Sequence, residues 1–247
     1  MKTIGIIGGL GPMATVYYME LITQMVDAKT DQEHPRIFLQ SIPDAPDRTA
    51  YILGKSKESP LPALIKAGRE LAYMGADFIS IPCVTAQYFY PQLCKTLDIP
   101  VLSLCGNIAS DIAQKQIKKV GIMATSGTIQ SKVLENEFLL NGVDVEIPTE
   151  EMQSKVMQII YHQVKSGKKI DWDSFLRIVE SLQRKGVEKI ILGCTELSVL
   201  KKEVNDTDNI EVHNIMDNLC IDVLEVLAQK AILESGAPLK KEYWSII

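Results

Sequence analysis

The sequence contains no apolar run approaching the roughly 18 residues that a bilayer-crossing helix requires, so no segment is expected to span a membrane. It has no C-x-x-C pair, and its three histidines, His34, His162 and His213, are scattered, which leaves no ligand spacing for a metal. Positive charge is in deficit. The formal net charge of -5 gives no basic footprint for nucleic acid, and pairs such as Lys118-Lys119 and Lys201-Lys202 read as solvated surface. The apolar stretch that begins near Met1 runs straight into a strand-turn-helix pattern without a cleavage-site region, so it reads as a first strand and the expected location is the cytoplasm. Cysteines number five, an odd count that argues against a disulfide framework and for reduced thiols. Hydrophobic residues at 46% and charged residues at 23% suit a globular protein, for which a small-molecule partner fits best.

A chain of 247 residues can form one large α/β domain or two lobes of roughly 100 to 150 residues. Strand-like runs at Thr3–Ile7, Ile37–Gln40, Phe78–Ile81, Val101–Leu102, Val120–Met123, Val143–Val145 and Ile190–Leu192 alternate with segments of helical period. That alternation predicts parallel sheets built from βαβ units and flanked by helices. The first helix is expected to start at Pro12, with Val16, Met19 and Ile22 on its apolar face, and another to run from Pro60-Leu61-Pro62 through Leu71. The Pro- and Asp-rich start of the stretch from Pro43 to Lys57 predicts a long connection of the kind that gathers ligand contacts. Helices are also expected from Glu150 to Lys165, from Trp172 to Arg184, and, after a polar break from Asn205 to Asn209, from Asp217 to Glu234.

Two nine-residue phrases echo each other. Gly75-Ala-Asp-Phe-Ile-Ser-Ile-Pro-Cys83 and Gly186-Val-Glu-Lys-Ile-Ile-Leu-Gly-Cys194 each carry a β-prone run to a cysteine, and Thr85 or Thr195 follows closely. Lys2-Thr-Ile-Gly5-Ile-Ile similarly resembles Lys119-Val-Gly121-Ile-Met, and each glycine precedes its cysteine by a similar interval. A duplicated α/β lobe explains both echoes. Two lobes related by a pseudo-two-fold axis would point both thiols into one cleft. Each thiol falls where a strand hands over to a helix, whose N-terminus favours a thiolate, whereas Cys94, Cys105 and Cys220 lack that context and read as packing residues. A Cys-His nucleophile is the alternative, but it leaves the duplication unexplained. Gly9-Leu-Gly11-Pro-Met-Ala14 fits the dinucleotide pattern G-x-G-x-x-G/A, yet Ile37-Phe-Leu-Gln40-Ser41 supplies no acid for a ribose, so a substrate-facing glycine turn is the better reading.

Taken together, several short motifs resemble the cofactor-independent aspartate/glutamate racemase superfamily, and its aspartate racemase branch in particular. They are Gly8-Gly9-Leu10-Gly11-Pro12-Met13-Ala14-Thr15, Pro46-Asp47-Arg48-Thr49-Ala50, Pro82-Cys83-x-Thr85-Ala86, Ala124-Thr125-Ser126-Gly127-Thr128, Ile160-Tyr161 with Lys165-x-Gly167, and Gly193-Cys194-Thr195-Glu196. The resemblance implies two α/β lobes, 1–102 plus 211–247 and 103–210, with the active site in the cleft between them, and a homodimer. It implies no cofactor: Cys83 and Cys194 act as acid and base on opposite faces of the α-carbon of an amino-acid substrate. It places Arg48 and Lys165 at the substrate carboxylates, Thr85, Thr128 and Thr195 at the α-carboxylate, and Glu196 at the ammonium or as a helix cap.

This sequence departs from that family at three places. Val84 and Gln87 stand where the pattern Pro-Cys-Asn-Thr-Ala-His has asparagine and histidine, and Asn214 stands where an aspartate is frequent. Val84 borders the substrate with no amide to offer. The proton-transfer pair is intact and the pocket is altered, so three functions stay open: an aspartate or glutamate racemase, a related enzyme for another substrate (a hydantoin racemase, a maleate isomerase or a racemase of other amino acids), and a non-catalytic small-ligand binding protein.

Overall fold

The computed structural model describes residues 1–204 and 207–245, so Asn205 and Asp206 of the expected polar break lie outside the described residues. In the first sheet, β1 (Ile4–Gly8) lies between β2 (Ile37–Ser41) and β3 (Phe78–Ser80), all parallel, and Val101 forms a parallel bridge to Ile79. In the second, β4 (Lys119–Met123) lies between β5 (Asp144–Glu146) and β6 (Lys189–Leu192), and β7 (Cys220–Asp222) pairs beyond β6. The two sheets repeat one strand order, as the sequence echoes predict. Cys83 and Cys194 therefore follow equivalent strands.

The helices around the first sheet are α1 (Pro12–Met25), α2 (Arg48–Ile52), α3 (Leu61–Tyr73) and α4 (Tyr90–Thr96). Then come α5 (Leu104–Gln114), α6 (Ser126–Ser131), α7 (Val133–Leu140), α8 (Glu150–Gln158) and α9 (Trp172–Gln183). The chain closes with α10 (Thr195–Glu203), α11 (Ile210–Asn218) and α12 (Val223–Ser235). Strand parity divides the core. Ile4, Ile6, Val120, Ile122 and Ile191 enter one cluster shared by the lobes, while Ile7 and Ile79 on one side and Ile190 and Leu192 on the other enter separate outer cores. The shared cluster is closed by a reciprocal exchange. After the first sheet α5 packs on α7, and after the second sheet α12 packs on α1 and α5.

Three expectations need correction. The return to the first lobe begins at Val223 rather than at residue 211, because β7 hydrogen-bonds to β6 and Val212, Met216 and Cys220 fill the second outer core. The helix expected from Asp217 to Glu234 is accordingly interrupted: three buried residues form β7, and Asp222 caps α12 by accepting from Leu224 N at 2.8 Å. On α1 the buried stripe runs through Ala14, Tyr18, Leu21, Ile22 and Met25, and Val16 is exposed.

Asp222 joins α12 to α10, where the Ser198 hydroxyl donates to its Oδ1, but its Oδ2 has no partner in a fully buried setting. Burial first, then Glu225, pushes its pKa up to about 7. An acid whose pKa is raised on folding lowers stability as pH climbs from its unfolded value of about 4 to its folded value, since the unfolded chain then binds fewer protons. Asp222→Asn keeps an acceptor for Ser198 and removes this loss. Its unfolding free energy is expected to gain on the wild type by roughly 2 to 4 kcal/mol between pH 4 and 7, with no further gain above, as urea titrations across that range will show.

Candidate active site

Both thiols border one narrow cavity where the carboxyl ends of the two sheets face each other. Its wall is made of Leu10, Asp47, Arg48, Thr49, Cys83, Val84, Thr85, Thr125, Tyr161, Lys165, Cys194, Thr195 and Glu196. Its free volume is about 10 Å³, room for roughly one water molecule, so an amino acid enters only if the wall moves. Two open pockets flank it. An outer pocket of about 420 Å³ shares Leu10, Asp47, Arg48, Lys165 and Glu196 with it. A cleft of about 650 Å³ on α2 and α8 shares Asp47, Thr49 and Tyr161.

Arg48 opens α2 under the Asp47 cap and is buried, although a lone guanidinium in that setting is costly. Three backbone carbonyls hold it: Nη2 donates to Leu10 O at 2.7 Å, and Nη1 to Pro46 O at 3.2 Å and Ala45 O at 3.3 Å. Nε has no partner. A guanidinium carries five N-H donors and three are spent on these carbonyls, so two remain, one on Nε and one on Nη2, the pair of nitrogens from which a guanidinium grips a carboxylate.

Lys165 follows a π-helical turn, Ile159–Val164, that replaces the end of the helix expected to run to Lys165. Its amide donates to Ile160 O at 3.1 Å, and its Nζ lies 4.4 Å from the centre of the Tyr161 ring and 3.5 Å from Glu196 Oε1. Burial opposes the lysine charge, but Glu196 and Tyr161 outweigh it and hold its pKa above the ordinary value. Cys194 caps α10 and its Sγ donates to Glu196 Oε2 at 2.9 Å. Against the thiolate expected at a helix N-terminus, burial, and then the Glu196 carboxylate, push the Cys194 thiol well up and outweigh the pull of Lys165.

Thr85 from the first lobe and Thr125 and Thr128 from the second form a ring of hydroxyls 3.0 to 3.1 Å apart. Thr85 and Thr125 border the cavity, whereas Thr128 stands behind them, so Thr125 occupies the wall position expected of Thr128. Thr195 is buried on the wall beside Glu196, and Val84 lines the wall while packing into the shared core. Gln87 does not reach the cavity wall; its Oε1 accepts from Leu104 N at 3.1 Å and caps α5. Asn214 is also remote, exposed on α11 with Asn218 Nδ2 donating to its side-chain oxygen at 2.7 Å. Leu10, Asp47, Thr49, Thr125 and Tyr161 were not singled out as wall residues by the sequence reading; Asp47 and Thr125 carry a signal for it, since both are helix N-caps that follow strands.

The glycine turn serves this site. Gly9 adopts φ +83°, where a Cβ would fall 2.5 Å from Ile42 N, and a Cβ on Gly11 would fall 2.6 Å from Glu196 Oε1. With Leu10 O given to Arg48, the turn is occupied by protein groups, which fits the substrate-facing reading rather than a phosphate cradle.

The family model described as Asp/Glu/Hydantoin racemase matches residues 7–231. The chain belongs to that family. It is accordingly an isomerase of the racemase class. An aspartate racemase from Picrophilus torridus is 30% identical, with a TM-score of 0.85 over 99% of this chain and 98% of that one. The Broad specificity amino-acid racemase RacX of Bacillus subtilis (strain 168) is 28% identical over 163 residues, 64% of this chain and 69% of its own. A glutamate racemase from Francisella tularensis, solved with D-glutamate, shares the fold at a TM-score of 0.66 and 16% identity, covering 95% of this chain and 82% of that one. The two-lobed α/β architecture is thus the racemase fold. No helix among the described residues is long and apolar enough to cross a membrane.

Proposed function

We propose that this racemase interconverts the enantiomers of aspartate or a closely related acidic amino acid by two-base proton transfer between Cys83 and Cys194. The observation that carries the reading is the convergence of two buried thiols, delivered by equivalent strands of two lobes, on one cavity. One thiolate removes the α-proton, the opposite thiol protonates the other face, and the roles exchange for the reverse reaction. The thiols supply both acid and base, so the reaction as proposed needs no cofactor. The free fork of Arg48 takes the side-chain carboxylate, and the hydroxyls of Thr85, Thr125 and Thr195 take the α-carboxylate, where charge builds in the carbanion. Lys165 adds a second cation beside that charge. A homodimer in the cytoplasm belongs to the same proposal, and sedimentation at twice the 27.5 kDa chain mass checks the assembly.

A second reading, another substrate within the family, is favoured by Val84, an apolar side chain on the cavity wall. Chiral chromatography with α-proton exchange in deuterated water, run on aspartate, glutamate, alanine, lysine and a hydantoin, tests both. Fastest turnover of aspartate is expected. A preference for a neutral or basic amino acid removes the acidic reading, and tight binding without exchange leaves only a binding protein.

A further inference from the structure

The inner cavity has room for about one water molecule, whereas the outer pocket that shares Arg48 and Lys165 with it is open and holds about 420 Å³. Two sets of unspent donors meet there. The first is the start of α1, where Gly11, Pro12, Met13 and Ala14 all line the pocket. No side chain caps this helix, Pro12 brings no N-H, and the amides of Met13 and Ala14 lie in the first turn, where the helix itself supplies no acceptor. No acidic side chain stands in that turn, so the positive end of the helix is left for a ligand. The second is Arg48, which is only 8% exposed, lines the same pocket, gives its three hydrogen bonds to carbonyls and keeps Nε without a partner. Lys165 differs, because Glu196 already answers its charge. Pro43, Ala45, Val164 and Val199 supply apolar wall beside these groups. The other opening, the cleft on α2 and α8, shares Asp47, Thr49 and Tyr161 with the inner cavity and so offers no cation at the junction.

We propose that the outer pocket is the side-chain subsite of this racemase: it receives the distal carboxylate of an acidic amino acid at Arg48 and the first turn of α1, and it admits chains longer than that of aspartate. The inference rests on the acidic-substrate reading and adds where the side chain goes and how long it can be. With the α-carbon held between the thiols, the chain leaves the inner cavity past Arg48, which borders both spaces. Met13 and Ala14 line the outer pocket and not the inner cavity, so they stand further along the same path. The short chain of aspartate ends at the guanidinium. The longer chains of glutamate and α-aminoadipate run along the apolar wall and end at the amides of Met13 and Ala14. A guanidinium followed by a helix N-terminus suits an aliphatic chain with a terminal carboxylate and disfavours lysine, whose ammonium would meet both positive groups. The methyl group of alanine reaches neither.

Charge placed at Met13 tests this, because Met13 is 64% exposed and does not line the inner cavity. An acid in the first turn suits the helix, so Met13→Glu is expected to fold. It is expected to raise KM for glutamate and α-aminoadipate about tenfold and Met13→Lys to lower it about threefold, with kcat and the kinetics of alanine unmoved. The wild type is expected to turn over glutamate within about tenfold of aspartate in kcat/KM. Calorimetry of glutarate, a dicarboxylate without an ammonium, on Cys83→Ser/Cys194→Ser reads the subsite without turnover. Adding Met13→Glu there is expected to weaken binding about tenfold. A glutamate KM and a glutarate affinity that ignore the charge at Met13, an equal shift for alanine and glutamate, or glutamate more than about tenfold below aspartate in the wild type would overturn the proposal. Failure of the acidic-substrate reading is read separately: a wild type that turns over alanine or lysine faster than any acidic amino acid removes that reading, whereas a preference for acids that ignores the charge at Met13 removes the subsite alone.

Discussion

Cys83→Ser and Cys194→Ser are each expected to lose about 10²- to 10⁴-fold in racemisation, the span that a positioned acid or base contributes. Serine preserves the shape and most of the packing of two side chains that are both 5% exposed, so loss of fold is not the expected cause. What it removes is a thiol, a far stronger acid than the hydroxyl that replaces it and the better proton donor and acceptor for this step. The loss should be directional at the level of proton exchange. A variant that keeps one thiol can still remove the α-proton from the enantiomer that presents it to that thiol, but it has nothing to protonate the other face. Each single variant is thus expected to wash out the α-proton of one enantiomer only, and the two variants should choose opposite enantiomers. Proton NMR of pure L- and pure D-aspartate in deuterated water reads this directly. Exchange that persists with both cysteines replaced would exclude the mechanism.

The residues that make this prediction possible were legible because duplication wrote them twice. Equivalent strands β3 and β6 end in the same kind of phrase, and parallel pairing then carries both thiols to the carboxyl edge of their sheets. β7 was hidden for a physical reason: three buried residues, Cys220-Ile-Asp222, inside a run of helical period carry no alternation that separates a strand from a helix turn. The lobe boundary was misplaced with it. The site was legible in its charges and less so in its geometry. Gln87 read as a pocket residue although its amide caps α5, and Thr128 read as a wall residue although its hydroxyl backs Thr85 and Thr125. The bond between Cys194 and Glu196 lies only two residues apart in sequence, yet nothing in the sequence shows that a carboxylate so placed bends back to the cap instead of facing water.

Arg48→Lys is expected to lose about 10- to 150-fold in kcat/KM for aspartate, the equivalent of about 1.5 to 3 kcal/mol for a hydrogen bond to a charged group. The charge is retained, so the loss isolates the fork. Arginine spends three donors on Leu10 O, Ala45 O and Pro46 O and still has two to offer, whereas lysine has three donors in all and must choose between the carbonyls and the substrate. If the fork grips the side-chain carboxylate, its loss should appear mainly in KM and should spare any residual turnover of alanine, which has no such group. The variant then discriminates less between the two substrates. If Arg48 only pins the glycine turn to α2, the substitution disturbs the cavity for every ligand, and aspartate and alanine fall by the same factor. The ratio of the two kcat/KM values before and after substitution separates a recognition residue from a brace. It also tests whether an acidic side chain is what this buried, half-satisfied guanidinium holds two donors open to receive.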